Sequence, residues 1–166
     1  SDLLVAIANA DYLRHLYGET LAYTPIVGEL YVWLGGFSAF AFLTTIAREI
    51  MKDIEDIEGD REMECRSIPI VWGEKTSKVI ITLLLSGTAA LIAYIHFYVL
   101  PFPTDWQAFA TRYAVFGLIV PIICAIILLW AASNKLELHR AQLITKFVMF
   151  MGVMYSFVIH QNLLTL

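Results

Sequence analysis

Four long apolar segments alternate with short polar ones along the chain. Residues 30–47 and 113–134 carry no charged side chain, and residues 79–104 and 147–166 each contain a single histidine and no acid, lysine or arginine. Each segment is close to the ~20 residues that a helix needs to cross ~30 Å of hydrocarbon. The pattern therefore predicts an all-α fold, a polytopic transmembrane helix bundle.

The boundaries of the predicted helices follow from glycine, proline and charge. A more polar first helix precedes a turn at Thr24-Pro25, and Gly59 is expected to stop the second helix. Gly35-Gly36 predicts a close helix approach or a kink, and Pro121 predicts a bend. About five helices are expected within one transmembrane domain, residues 1–166, at residues 3–24, 29–58, 76–99, 109–133 and 141–165, with loops at 60–78 and 134–140.

Composition and charge support a membrane protein. Hydrophobic residues make up 59% of the chain and the mean hydropathy is +0.70, well above the values of soluble domains. All lysines and arginines except Arg14 and Arg112 fall on one predicted side, which the positive-inside rule makes cytoplasmic. The chain opens on Ser1 without an initiator methionine, and we expect it to be part of a longer protein.

A row of acids follows the apolar segment at residues 30–47. At about 100° per residue, Glu49, Asp53, Asp56 and Asp60 share a sector of roughly 60°. Their mutual repulsion, and their place at the C-terminal end of a helix, both oppose this arrangement. A bound cation would balance the charge, and carboxylates without histidine or cysteine favour Mg²⁺. The alternative is an ordinary polar helix end entering water.

The residues from Asp53 to Arg61, read as Asp-Ile-Glu-Asp-Ile-Glu-Gly-Asp-Arg, are followed by Arg66-Ser67-Ile68-Pro69. This string resembles the second aspartate-rich motif of the UbiA superfamily of intramembrane prenyltransferases. The wider string from Arg48 to Gly73 is most similar to the digeranylgeranylglyceryl phosphate synthase branch. The resemblance implies helices five to nine of a nine-helix fold.

The resemblance also implies a site and a reaction. Asp56 and Asp60 would be the catalytic, metal-binding pair and Asp53 a third metal-binding acid. The implied cofactor is Mg²⁺, and the implied substrates are an isoprenyl diphosphate and a hydrophobic acceptor, a lipid or an aromatic ring, in an integral membrane setting with the acids on the cytoplasmic side. The candidates to contact the diphosphate are Lys52, Arg61 and Arg66. Nucleic acid is not an expected partner.

Two family motifs are absent from these residues: the first aspartate-rich motif and the Tyr-and-Lys motif before helix five. We therefore expect no activity from this piece alone. The alternative function is a diverged or truncated, non-catalytic subunit packed against other membrane proteins. A cation transporter is disfavoured because the acids lie at one end of the membrane and not at its midplane. A second metal set is less expected, at Asp11, His15 and Glu19, and His96 and His160 are expected to be packed or interfacial.

Overall fold

The fold is known from a computed structural model of the chain. It describes the backbone of residues 25–99 and 104–164 and the side chains of Tyr31 and of residues 33–98 and 107–157. The helix predicted at residues 3–24 lies outside this part. The chain divides into two compact units, Ser1–Gly35 and Gly36–Leu166, and the candidate site lies within the second. The single domain over residues 1–166 stays a prediction.

The described residues form helices joined by short connections, with no strand among them. Two stretches of π-helical turns adjoin the α-helices, at Ile95–Val99 and at Tyr113–Ile119. The α-helices are α1 (Pro25–Glu55), α2 (Ile57–Glu62), α3 (Ile68–Trp72), α4 (Glu74–Tyr94), α5 (Thr104–Arg112), α6 (Val120–Ala131) and α7 (Lys135–Leu164).

Buried residues recur along the helices at intervals of three and four positions. The contact stripe of α1 comprises Phe40, Thr44, Ala47, Met51 and Ile54. This spacing keeps one stripe of a helix against its neighbours, as in helix bundles. The most extensive packing joins α6 to α7, and α4 also packs against α6. The predicted helical bundle is therefore confirmed.

Glycine permits close approach at two points of this packing. A Cβ atom on Gly36 would lie 2.5 Å from the Cδ1 atom of Ile95, whereas one on Gly35 would meet nothing within 4 Å. A Cβ atom on Gly152 of α7 would overlap the ring of Phe40. The close approach predicted for the glycine pair thus occurs at Gly36.

The outer surface of the bundle is apolar. Two continuous helices, Glu74–Tyr98 and Gln107–Ala131, are long and apolar enough to cross a membrane by length and composition. Large apolar side chains that are more than half exposed include Phe42, Leu83, Phe116, Ile127 and Phe150. An apolar surface of this extent suits lipid contact. The other two predicted spans lie within α1 and α7, the last extending beyond the described residues.

The bend expected at Pro121 stays a prediction, but the helix is irregular before this proline. Tyr113–Ile119 precedes α6, and the N–H of Val120 donates to the carbonyl of Val115, five residues back. Proline has no N–H to give to the preceding turn, and a local change of helical pitch accommodates that loss. The chain therefore crosses this region without ending its helix.

The prediction that the helix stops at Gly59 is wrong. The chain breaks its regular helix at Asp56, continues through Gly59, and stops only after α2. Glu64 adopts a left-handed φ of 55°, and the N–H of Cys65 donates to the carbonyl of Asp60 at 2.9 Å. This geometry is a Schellman stop, which usually has glycine in the left-handed position. Because glutamate occupies that position here, the sequence did not indicate where the helix ends.

The prediction of a loop at residues 134–140 is also wrong, because α7 begins at Lys135. Asn134 Oδ1 accepts a hydrogen bond from the N–H of Glu137 at 3.0 Å. In return, Glu137 Oε2 accepts one from the N–H of Ser133 at 2.7 Å. This reciprocal arrangement resembles a capping box and satisfies free N–H groups at the helix start.

The predicted loop at residues 60–78 is shorter than expected, because α3 and the start of α4 occupy much of it. Proline near the first position of α3, at Pro69, suits a helix start. Gly73 ends α3 with a φ of 86°, a conformation that glycine adopts readily. The chain thus turns from α3 into α4 through a single residue.

Candidate functional site

The row of acids predicted from the sequence lies across the junction between α1 and α2. We call it the acidic stripe, and it comprises Glu49, Asp53, Asp56 and Asp60. Asp56 stands at the break, yet its N–H donates to the carbonyl of Lys52 and its carbonyl accepts from the N–H of Asp60, both at 3.0 Å. The four-residue repeat of an α-helix therefore continues through the junction. Asp53, Asp56 and Asp60 consequently remain on one side of the segment.

The opposite side of the same segment packs against α7. Gln142, which is buried, donates from Nε2 to Glu55 Oε2 at 2.5 Å. His139 Nδ1 lies 3.4 Å from Glu55 Oε1, and Thr145 Oγ1 lies 3.8 Å from Met51 Sδ. Glu55 is thus part of the contact that fixes the end of α1 against α7.

Glu58 belongs to the same contact. Its Oε2 atom accepts a hydrogen bond from Lys135 Nζ at 2.7 Å, and this bond lowers the pKa of Glu58 and raises that of Lys135. By contrast, no hydrogen bond or ion pair within the described residues engages the carboxylates of Asp53, Asp56 and Asp60. Glu55 and Glu58 are therefore bonded to α7, whereas Asp53, Asp56 and Asp60 lie on the opposite face without a partner among the described residues.

Asp53 carries the electrostatic cost of the stripe. Its pKa is raised above the ordinary value, first because the half-buried carboxylate is desolvated and then because Asp60 and Glu49 repel its charge. Asp56 adds a smaller repulsion, and Lys52 partly offsets these effects. A divalent cation placed beside the stripe would remove this repulsion.

The donor set has the chemistry that Mg²⁺ needs, but it does not form a closed cage. Among the residues that the structure describes, no three His, Cys, Asp or Glu side chains come together as a metal-binding group. Mg²⁺ is commonly held by one or two carboxylates together with waters and substrate phosphates. The aspartate face, formed by Asp53, Asp56 and Asp60, fits that open kind of site, because its side chains offer only oxygen ligands.

The three basic candidates lie around the stripe without joining it. Lys52, Arg61 and Arg66 are all exposed. In the described part of the chain, none of the three side chains makes a hydrogen bond or an ion pair. Their role in holding a diphosphate stays a prediction, and their exposure leaves them free to reach phosphate oxygens.

Two further residues near the stripe were not singled out by the sequence. Arg48 pairs through Nη2 with the carboxylate of Glu49, while its Nε atom is buried without a hydrogen-bond partner among the described residues. Ser67 precedes α3, and its buried Oγ atom also has no partner in that part of the chain. Both lie in the string that carries the family resemblance, which was the one signal available.

The histidine prediction has a partial outcome. His96 is packed, because it is buried with Nδ1 2.7 Å from the hydroxyl of Tyr155 and Nε2 3.0 Å from Thr111 Oγ1. The side chain of His160 lies outside the described residues, as does the alternative metal set of Asp11, His15 and Glu19.

The fold and the acid-bearing helix end define a class of protein: an all-helical membrane bundle with an aspartate face at one end. The model of the UbiA prenyltransferase family matches residues 16–156. The chain therefore belongs to the UbiA prenyltransferase family.

Similar proteins refine the branch. A digeranylgeranylglyceryl phosphate synthase of Thermococcus onnurineus is 31% identical over 84% of this chain and 48% of its own length. The one from Methanosphaera stadtmanae is 32% identical over 72% of this chain and 40% of its own. The one from Pyrococcus furiosus is 40% identical over 43% of this chain and 32% of its own. The predicted resemblance to this branch is confirmed, and the chain spans less than half the length of these relatives. No solved structure matches the chain significantly.

Proposed function

We propose that the protein is a magnesium-dependent membrane prenyltransferase that moves an isoprenyl group from an isoprenyl diphosphate to a lipid acceptor. Family membership supports the reaction class. The names of the relatives support geranylgeranyl diphosphate as donor and a prenylated glyceryl phosphate as acceptor. The observation that carries the proposal is that the aspartates have no partner within the described residues, while Glu58 on the other face is bonded to α7.

In this proposal the aspartates hold the metal. Asp56 and Asp60 are the principal ligands and Asp53 is the third acid, whose pKa is raised first by desolvation and then by the charges of Asp60 and Glu49. The bound Mg²⁺ supplies charge neutralisation for the diphosphate leaving group. The basic side chains of Lys52, Arg61 and Arg66 add charged hydrogen bonds to the phosphate oxygens.

The chemistry is substitution at an allylic carbon. The C–O bond to the diphosphate breaks, and both electrons leave with the diphosphate oxygen. The acceptor oxygen then attacks the allylic cation and loses its proton. A membrane bundle suits this reaction because the prenyl chain remains among apolar helices while the diphosphate stays at the acidic end, which we place on the cytoplasmic side.

The test is product formation by the full-length protein. Asp56→Asn and Asp60→Asn are expected to lower prenyl transfer from geranylgeranyl diphosphate by about 100-fold or more, the scale of losing a principal charge-stabilising group. Glu58→Gln is the matched control, since it removes one carboxylate that is two residues from both Asp56 and Asp60 but lies on the opposite face. Products are measured by liquid chromatography and mass spectrometry. Full turnover by the two aspartate variants would overturn the proposal.

The non-catalytic alternative predicts a different result. Residues 1–166 alone are expected to form no product under either hypothesis, because two family motifs are absent from these residues. The full-length protein separates the two. Product formation that requires Mg²⁺ supports the enzyme, whereas no product with any prenyl acceptor, from protein that inserts and folds, supports the subunit.

A further inference from the structure

An open groove lies at the end of the bundle remote from the acids. It has a volume of about 590 Å³ and lies between the π-helical end of α4 and the region where α5 passes into the π-helical turns. Two contacts fix its position. Lys135 bonds to Glu58 at the acidic end, and Tyr155, farther along α7, bonds to His96 beside the groove. The rise along α7 between these contacts is about 30 Å, the thickness of the hydrocarbon layer.

The lining of the groove combines polar and apolar side chains. Arg112, Gln107 and Thr111 supply a cation, an amide and a hydroxyl, and Phe97, Val115 and Phe116 supply apolar surface. Arg112 is exposed, and no acid in the described part of the chain pairs with it. An unpaired arginine beside exposed aromatic rings is complementary to an anionic group that carries a hydrocarbon chain.

A buried network holds Thr111 in the lining of the groove. Thr111 Oγ1 lies 3.0 Å from Nε2 of His96, a residue that is only 4% exposed. His96 Nδ1 lies 2.7 Å from the hydroxyl of Tyr155, whose ring stacks on that of Tyr113 with centroids 5.7 Å apart. Thr111 is thereby held in place by α4 and α7, although it lies next to a groove that opens outward.

The backbone beside the groove is irregular on both sides. Phe97 lies in the π-helical turns at Ile95–Val99, and Val115 and Phe116 lie in those at Tyr113–Ile119. In the sequence a proline follows each stretch by two residues, Pro101 after the first and Pro121 after the second. Short π-helical turns are frequent at functional sites, because the extra residue redirects side chains.

We propose that this groove binds the phosphate head group of an anionic membrane lipid in the leaflet opposite the aspartate face. Arg112 binds the phosphate, Gln107 and Thr111 donate hydrogen bonds to its oxygens, and the lipid chain lies along Phe97 and Phe116. This site is about 30 Å from the acids and takes no part in prenyl transfer. It is a structural lipid site that fixes the outer ends of α4 and α5.

The test measures lipid retention on the full-length protein. Protein purified in detergent is offered equal amounts of dioleoylphosphatidylglycerol and dioleoylphosphatidylcholine, and retained lipid is counted by native mass spectrometry. Arg112→Gln is the test variant, and Arg140→Gln is the control because Arg140 is an exposed arginine at the acidic end. Loss of one basic residue near a membrane surface is expected to lower retention of the anionic lipid about fivefold. Prenyl transfer is expected to be unchanged in Arg112→Gln.

Three outcomes would overturn the proposal. The first is equal retention of the anionic lipid by the parent and Arg112→Gln, and the second is an equal loss in Arg140→Gln. The third is displacement of the lipid by inorganic phosphate alone, which would show that the site takes a free anion. The exposed Arg112 side chain makes no hydrogen bond or ion pair with the residues that the structure describes. Arg112→Gln is therefore expected to unfold at the same temperature as the parent when no lipid is added.

Discussion

Removing the charge of Asp53 should stabilise the metal-free protein. Asp53→Asn keeps the size of the side chain and nearly the same helix propensity, but it removes a half-buried carboxylate that Asp60, Glu49 and Asp56 repel. Most surface substitutions change stability little or lower it. A gain here would therefore be specific evidence of repulsion within the stripe.

The size of the gain follows from the spacing. Glu49 stands four residues before Asp53 and Asp56 three residues after it, and like charges at these spacings each cost about 0.2–0.5 kcal/mol. Asp53→Asn is therefore expected to raise the free energy of unfolding by about 0.4–1 kcal/mol at low salt. Added salt should reduce the gain, since exposed charges are screened.

The effect also has a pH dependence of known sign. Because the pKa of Asp53 is raised on folding, the folded protein binds this proton more tightly than the unfolded chain does. Stability is therefore greatest while the carboxyl is protonated and falls as the pH rises through the raised pKa. Asp53→Asn should abolish this part of the pH profile.

The assay is thermal unfolding of the full-length protein in detergent, followed by circular dichroism with a chelator and then with Mg²⁺. Asp53→Asn should unfold at a higher temperature than the parent in chelator, and Mg²⁺ should stabilise the parent more than the variant. Glu58→Gln, which loses the bond to Lys135, should show no gain in chelator. A lower unfolding temperature for Asp53→Asn in chelator would refute the reasoning.

Three other substitutions test the packing and the helix stops by thermal unfolding. Gly152→Ala should destabilise the protein by about 1–3 kcal/mol, because the new methyl group overlaps the buried ring of Phe40. Gly36→Ala should be nearly neutral, since only the flexible end of Ile95 has to move; an equal loss in both variants would contradict this difference. Glu64→Gly should stabilise by about 0.5–1 kcal/mol by relieving the left-handed φ of 55°, and a loss of stability would contradict the Schellman stop.

The sequence predicted the features that depend on composition and regular spacing. The helical bundle and its apolar segments could be read from hydropathy, because the lipid environment leaves few other structures for such segments. The pair Gly35-Gly36 predicted a close helix approach or a kink because small residues permit both, and a close approach occurs at Gly36. The four-residue spacing of Asp56 and Asp60 needs only a continuous helix to bring them to one side, and the backbone bond between them provides it.

Features that depend on single backbone conformations were not predictable in this way. Gly59 has the residue type of a helix stop, but the left-handed residue is Glu64, whose type disfavours that conformation. Asn134 and Glu137 form a helix cap whose sequence signal, Asn followed three residues later by Glu, is present in the chain. That signal was obscured by the polar character of the whole segment.

Tertiary contacts account for the remainder. The sequence gives no means of seeing that Glu55 and Glu58 face α7 while Asp53 faces away, because the partner helix begins more than seventy residues later. The pairing of His96 with Tyr155 likewise joins distant helices through π-helical turns that no local propensity indicates. In both cases the sequence alone did not indicate which distant residue each side chain would contact.

The central claim is that the aspartate face, and not the glutamate face, binds the divalent cation. The most direct measurement is a titration of the full-length protein with Mn²⁺, a paramagnetic substitute for Mg²⁺, followed by electron paramagnetic resonance with geranylgeranyl diphosphate present. The parent and Glu58→Gln should bind the ion alike, and the double variant Asp56→Asn, Asp60→Asn should lose this binding. Equal binding by the double variant and the parent would contradict the account.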